Sequence, residues 1–319
     1  MIKKLLRSIP FMAPVYNISL GVLSNVYPGI FSIAQTGGTI SARYCYSVWL
    51  RHLTHLYKCG MNKIPNSIAE LGPGDSVGIG LSAMLSGTNK YYALDVVSFA
   101  DISRNETVFN ELIDLFNNRT PIPDDNEFPR VKPKLNDYGF PSHILSDEHL
   151  NITLHPKRLQ KIRSCISGKK TNDEISINYI APWLDYVIAQ QEDIDLIYSQ
   201  AVLEHVDDLV AAYKAMKSAL RSGGYISHTI DFKCHNSAFR WNGHYAYSDK
   251  TWRIIRGNRN YFLNREPLTT HKDLIQSSGF DILEIEPTIM DGGIKLSKAK
   301  RKITSDDLAV SSVYIAGKK

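Results

Sequence analysis

The chain has 319 residues, 43% of them hydrophobic and 22% charged, a globular composition that excludes disordered and collagen-like classes. That length accommodates one large domain with insertions or two smaller ones, and it is ample for a sizeable core. The net charge of +5 is mild and no long Lys/Arg array is interleaved with aromatics, so nucleic acid is not an expected partner.

The chain begins MIKKLL, with Lys3, Lys4 and Arg7 ahead of an apolar run broken by Pro10, Pro14 and Asn17. It reads as an interfacial or packing segment rather than a cleaved signal. No stretch reaches the roughly 18 apolar residues of a membrane span, so no transmembrane helix is predicted. Residues 41–58 place Cys45, Val48, Trp49, His52, Leu53 and Leu56 on one face at helical spacing. Pro65 and Asn66 end that region, and residues 1–62 are expected to form a helical N-terminal cap on a main domain at 63–319.

SIAEL (67–71) then reads as a buried strand, 76–86 as a helix, YYALD (91–95) as a second strand and 105–116 as a helix. Residues 118–156 hold six of the chain's fourteen prolines, and a lid-like insertion is expected over 118–173. A short basic amphipathic helix closes that proline-rich part at 156–166. Strands follow at 174–180, 195–199, 223–231, 280–286 and 308–317, with helices over 202–220 and 269–279 between them. Strands alternating with helices imply an α/β fold: a Rossmann-like, doubly wound, seven-stranded, mostly parallel sheet with helices on both faces.

Four cysteines (Cys45, Cys59, Cys165 and Cys234) occur without a CxxC pair. This spacing fits a reducing compartment and argues against a disulfide framework or a zinc site. A cytoplasmic location is expected. The basic ends, with Lys295, Lys298, Lys300, Arg301 and Lys302 near the C-terminus, and the basic helix at 156–166 suit a phosphorylated substrate or peripheral membrane contact.

The most informative stretch is IAELGPGDSVGIG (68–80). Glycines crowded after a strand let backbone N–H groups approach a ligand, and the following helix offers its positive end. Asp95 ends the next strand 21 residues after Gly74, placed to accept hydrogen bonds from ribose hydroxyls. The dinucleotide pattern Gly-x-Gly-x-x-Gly fails at Val77, and no Gly-Lys-Ser/Thr follows for a P-loop.

Glu70, Gly72 and Gly74 fit Glu-x-Gly-x-Gly, which resembles motif I of class I S-adenosylmethionine (SAM) dependent methyltransferases. The resemblance extends to DLIYSQAVLEHVDD (195–208), ALRSGGYISHTID (219–231) and HKDLIQSSGFDILEIE (271–286), and covers roughly residues 63–100 and 174–319. It implies SAM as the cofactor. It also implies that Gly72, Pro73 and Gly74 approach the cofactor, that Glu70 orients their turn, and that Asp95 takes the ribose hydroxyls with Val96 against adenine. Ser199 and Gln200 are expected near the methionine moiety. The third strand departs from the family pattern with INYIAPW, leaving adenine to Tyr179 or to backbone near Ile180 and Ala181.

Arg43 in the preceding helix has the chemistry to clamp the SAM carboxylate with paired hydrogen bonds. In-line methyl transfer to a hydroxyl needs a base, and three histidines fall where the mouth of the site should be: His205, His235 and His244. The aromatic and polar segment 235–252 suits a sugar, so the expected acceptor is a hydroxyl of a small molecule or glycan precursor. A quinone, lipid or other small metabolite is the rival acceptor, and a non-catalytic SAM-fold binding protein the rival class. No catalytic metal is expected, because Ser199 and Gln200 stand where metal-dependent relatives carry an acid.

Overall fold

The computed structural model describes residues 12–27, 38–97, 100–169, 174–183, 193–259, 261–296 and 303–319. The expectations that rest on Lys3, Lys4, Arg7, Lys298, Lys300, Arg301 and Lys302 lie outside them. Among the described residues, no helix is long and apolar enough to cross a membrane.

The helices, in chain order, are α1 (Met12–Val26), α2 (Ala42–Lys58), α3 (Gly78–Leu85), α4 (Ile102–Asn117), α5 (Asp147–Thr153), α6 (Pro156–Ile166), α7 (Leu209–Ala219), α8 (Asp249–Arg256), α9 (Leu268–Ser277) and α10 (Ser305–Ala309). The strands are β1 (Ser67–Leu71), β2 (Lys90–Leu94), β3 (Ser176–Ile180), β4 (Ile194–Gln200), β5 (Leu220–Asp231), β6 (Asp281–Ile289) and β7 (Val310–Lys318). They form one sheet in the order β3-β2-β1-β4-β5-β7-β6. Neighbours are parallel except β7, which runs antiparallel to both β5 and β6. The doubly wound, mostly parallel, seven-stranded sheet is the expected architecture.

Alternation along the strands feeds two cores. In β4, Leu196 and Tyr198 point into one with Trp49, Leu53, Phe109 and Phe116. Ile197 points into the other with Tyr213, Met216, Ile275 and Phe280. Helices α2, α3 and α4 cover the first face, and α7 and α9 the second. Local sequence sets the helix starts: the side chains of Ser41, Asp101 and Asp208 accept from Tyr44, Arg104 and Ala211 N–H, capping α2, α4 and α7.

One expectation changes. The single helix expected over 202–220 is a short 3-10 turn at Leu203–His205 followed by α7. Asn264 holds the turn apart from the helix, its Nδ2 donating to Leu203 O at 2.7 Å and Val206 O at 2.9 Å. Within the segment expected as a cap, α2 lies on the sheet itself, with the Trp49 and Tyr198 rings 5.9 Å apart. Helix α1 instead crosses α8 so closely that a Cβ on Gly21 would stand 1.9 Å from Ile254 O.

The insertion, described over 118–169, wraps α2. Arg51 is fully buried and donates to Pro123 O at 2.8 Å, Val131 O at 3.0 Å and Asp125 Oδ1 at 3.0 Å. Ser47 and Tyr46 add bonds to Pro123 O and Thr120 O. Two bases of α6 also serve the fold: Arg158 donates to Met84 O and Thr88 O, and Arg163 lies over the Phe109 ring.

Candidate active site

A cleft of about 470 Å³ opens where β1, β2 and β4 end, at the carboxyl edge of the sheet where the strand order reverses. Gly72, Pro73, Gly74, Asp95, Val96 and Gln200 line it, together with His205 and His235. Gly72 has φ +66° and its N–H donates to Leu94 O at 2.8 Å; a Cβ there would meet Val202 Cγ2 at 2.7 Å. Only glycine serves both demands. The Asp95 carboxylate, pushed up by burial, accepts from Gly74 N at 3.2 Å and Val96 N at 2.7 Å. It thereby ties the glycine turn to the second strand, and Tyr179 Oη reaches it at 3.4 Å.

Alternation separates Ser199 from Gln200. Gln200 points to the α2 side, where its Oε1 stands 3.2 Å from His52 Nε2 at the cleft wall. Ser199 points to the other face, bonds His228 Nδ1 at 2.8 Å and does not line the cleft. Glu70 also lies behind the wall, fully enclosed, accepting from Tyr91 Oη at 2.5 Å and Tyr198 Oη at 2.9 Å. Burial pushes its carboxyl up to about 7 against those two donors. Arg43 is placed elsewhere. Its guanidinium grips Glu127 of the insertion through two bonds of 2.7 and 2.6 Å at the surface, and it does not line the cleft.

The three histidines divide. His205 faces the cleft from the 3-10 turn. Its Nδ1 must donate to Tyr261 O, 2.8 Å away, because a carbonyl only accepts, which leaves Nε2 as the acceptor. Burial and the neighbouring His235 lower it to about 4, so it is neutral near pH 7. His235 follows β5 in a left-handed backbone conformation, φ +42°, with its ring 5.2 Å from His205. Its Nε2 lies 3.3 Å from Asp231 Oδ2. Burial alone would raise the Asp231 carboxyl, but hydrogen bonds with His235 and Lys233 outweigh it and hold it near 2.

His244 is a correction. It is buried away from the cleft against Tyr245, at 4.1 Å between ring centres, and Trp252. Trp252 and Tyr247 of the aromatic segment pack with Phe262 beneath α1, and of residues 235–252 only His235 lines the cleft.

Several lining residues escaped the sequence reading. Tyr44 and Thr39 come from the segment before and into α2, and Thr39 is held to the glycine turn through Ser76 N at 3.1 Å. Trp183 closes the departing third-strand segment, its N–H donating to Asp95 O at 2.7 Å. The signal for it was present as the W of INYIAPW. Tyr261 lies far along the chain with no motif around it. These residues fit a nucleoside sulfonium. The turn exposes backbone, an enclosed carboxylate stands at the end of β2, and Val96 and Trp183 give apolar walls for a planar base.

The methyltransferase domain family model matches residues 142–227, which run from the insertion through β3 and β4 into β5. A search of curated proteins found no match. Among solved structures, an S-adenosylmethionine dependent methyltransferase from Mesorhizobium loti is similar at 12% identity, covering 84% of this chain and 98% of that one, with a TM-score of 0.40. A SAM-dependent methyltransferase from Methanosarcina mazei aligns at 12% identity over 84% of this chain and 96% of its own, with a TM-score of 0.41. The Haemonchus contortus phosphoethanolamine N-methyltransferase 2, solved with phosphomonomethylethanolamine and S-adenosylhomocysteine, aligns at 13% identity over 85% of this chain and 52% of its own, with a TM-score of 0.40.

Proposed function

We propose that this SAM-dependent methyltransferase moves its methyl group to a hydroxyl of a sugar or glycan precursor, with His235 as general base. The observation that carries the reading is the His235–Asp231 pair at the cleft, 3.3 Å apart, beside the neutral His205. When bound, SAM supplies a methyl carbon activated by its sulfonium leaving group. The chain's part is alignment and proton removal. Gly72 and Gly74 offer backbone, and Asp95 accepts from ribose hydroxyls. His205 Nε2 accepts from a neighbouring hydroxyl of the acceptor and holds its direction. His235 takes the hydroxyl proton as the new C–O bond forms, and Asp231 holds the ring and stabilises the resulting imidazolium.

A hydroxyl on a quinone, lipid or other apolar metabolite is a second reading. It is favoured by Tyr44, Val202, Val206 and Trp183 lining the cleft, and by the inward packing of the 235–252 aromatics. Turnover of sugar and nucleotide-sugar acceptors compared with quinol and phenol acceptors separates the two. Methylation of only the apolar set rejects the glycan reading. Loss of S-adenosylhomocysteine binding would reject both.

A cytoplasmic location with peripheral membrane contact is also proposed. Exposed Val15, Val22 and Val26 on α1 and Ile254 beside them on α8, with Arg253, support it. Sedimentation with anionic vesicles that is unchanged in a Val22→Ser/Val26→Ser variant removes it.

A further inference from the structure

On the first face of the sheet, well outside the cleft, α2 ends against the edge strand β6. His55 sits in the last turn of α2 and Cys59 is one turn on, at its C-cap. Glu284 and Glu286 are two apart on β6 and therefore share one face. His55 Nδ1 stands 3.0 Å from Glu284 Oε2 and 3.8 Å from Glu286 Oε1, and one ligand atom from each of the three lies within 4.8 Å of the others. We propose that His55, Glu284 and Glu286 bind a divalent transition cation, Zn²⁺ by their donor set, which ties α2 to β6.

Four observations support the site. Ligands at about 2.0–2.2 Å from a tetrahedral ion stand roughly 3.4 Å apart, and the two Nδ1 to carboxylate distances bracket that spacing. One imidazole nitrogen and two carboxylate oxygens suit Zn²⁺ and its neighbours rather than Ca²⁺ or Mg²⁺, which favour all-oxygen shells. The other imidazole nitrogen is already committed: Nε2 donates to Lys134 O at 2.8 Å, the outer hydrogen bond that metal-bound histidines usually make. The Cys59 thiol likewise donates to Glu284 Oε2 at 3.2 Å, so a ligating carboxylate has its own support.

Two carboxylates face a single imidazole here. His55 is almost fully buried, whereas the Glu284 and Glu286 side chains are 22% and 37% exposed, which gives the ion a path from solvent. On binding, the His55 Nδ1 lone pair goes to the metal, and any proton on that nitrogen is released to solvent.

The test uses the untagged full-length protein after chelator treatment, titrated calorimetrically with ZnCl₂ and followed by the visible spectrum with CoCl₂. One tight site per chain is expected, with a raised melting temperature and Co²⁺ d–d bands. The double variant Glu284→Gln/Glu286→Gln should lose at least 100-fold in Zn²⁺ affinity while still binding S-adenosylhomocysteine as the parent does. Cys59→Ala should weaken Zn²⁺ by about 10- to 100-fold. His235→Ala should leave Zn²⁺ affinity unchanged. Absence of a tight site in the parent overturns the proposal, and so does a double variant that binds like the parent or a loss that follows His235→Ala instead.

Discussion

His235 Nε2 meets Asp231 Oδ2 at 3.3 Å, four residues back along the chain, across the point where β5 ends. The left-handed backbone at His235 folds the chain back to make that meeting. His235→Asn should lower kcat by about 10²- to 10⁴-fold and leave the Kd for S-adenosylhomocysteine within about twofold. Asp231→Asn should lower kcat by less and shift the acidic limb of the rate profile. Single-turnover kinetics and calorimetry check both. An unchanged kcat in His235→Asn would remove the base assignment.

Gly72→Ala places a Cβ 2.7 Å from Val202 Cγ2 in a left-handed conformation. The backbone cost alone is about 1–2 kcal/mol. Cofactor affinity should fall by at least about tenfold, and Gly72→Ala/Val202→Ala should recover only the part due to the clash. Thermal shift with S-adenosylhomocysteine, with NAD as control, measures both variants. For the parent, ligand at about 100 times its Kd adds roughly 2.7 kcal/mol.

Acid should destabilise the fold through buried histidines. Burial lowers His52 and His205 to about 4, and His228 and His271 to about 3, against an unfolded value of about 6.5. Each is neutral when folded and charged when unfolded between those values. Their contribution is therefore present above about pH 6.5 and is lost as pH falls toward 4 and 3. Glu70 works the other way. Raised to about 7, it favours the folded state below its unfolded value of about 4.3 and loses that contribution as pH rises through 7. Stability should fall markedly below pH 6.5, four histidines outweighing the one opposing Glu70, and keep falling below about 4.5 as unfolded carboxylates also protonate. Urea melts across pH 3.5–8 check it, and Glu70→Gln should steepen the fall between pH 7 and about 4.5, because the contribution that opposes the histidines is gone.

Arg43 and Arg51 should part company. Arg43→Ala breaks a surface pair with Glu127, worth about 0–1 kcal/mol, and should leave cofactor affinity unchanged. Arg51→Met strands the carbonyls of Pro123 and Val131 and should cost about 3 kcal/mol or more. Activity per folded molecule should persist, because no described residue of the insertion lines the cleft. Chemical denaturation and active-site titration separate the two effects.

The sheet and its cofactor turn were legible because each rests on local signals. Short apolar runs gave the strands, and Gly72, Gly74 and Asp95 gave the turn and its acid. What stayed hidden depends on direction and distance. Ser199 and Gln200 are adjacent letters, but the pleat sends one toward His228 and the other toward the cleft. Arg43 has the chemistry of a clamp, and only the fold reveals Glu127 beside it. His244 and His235 look alike in sequence, yet the first is enclosed by Tyr245 and Trp252. Tyr261 and Asn264 shape the His205 turn from more than fifty residues away, with no pattern to announce them.

The seat of α2 on the sheet bears on how the protein can be cut for study. Trp49, Leu53 and His52 cover Tyr198 and Tyr314 in the middle of the molecule. A shortened version beginning at residue 63 keeps every motif of the glycine turn but lays bare one side of the central strands. Such a fragment would be recovered as insoluble material, and its inactivity would say nothing about the catalytic residues it retains.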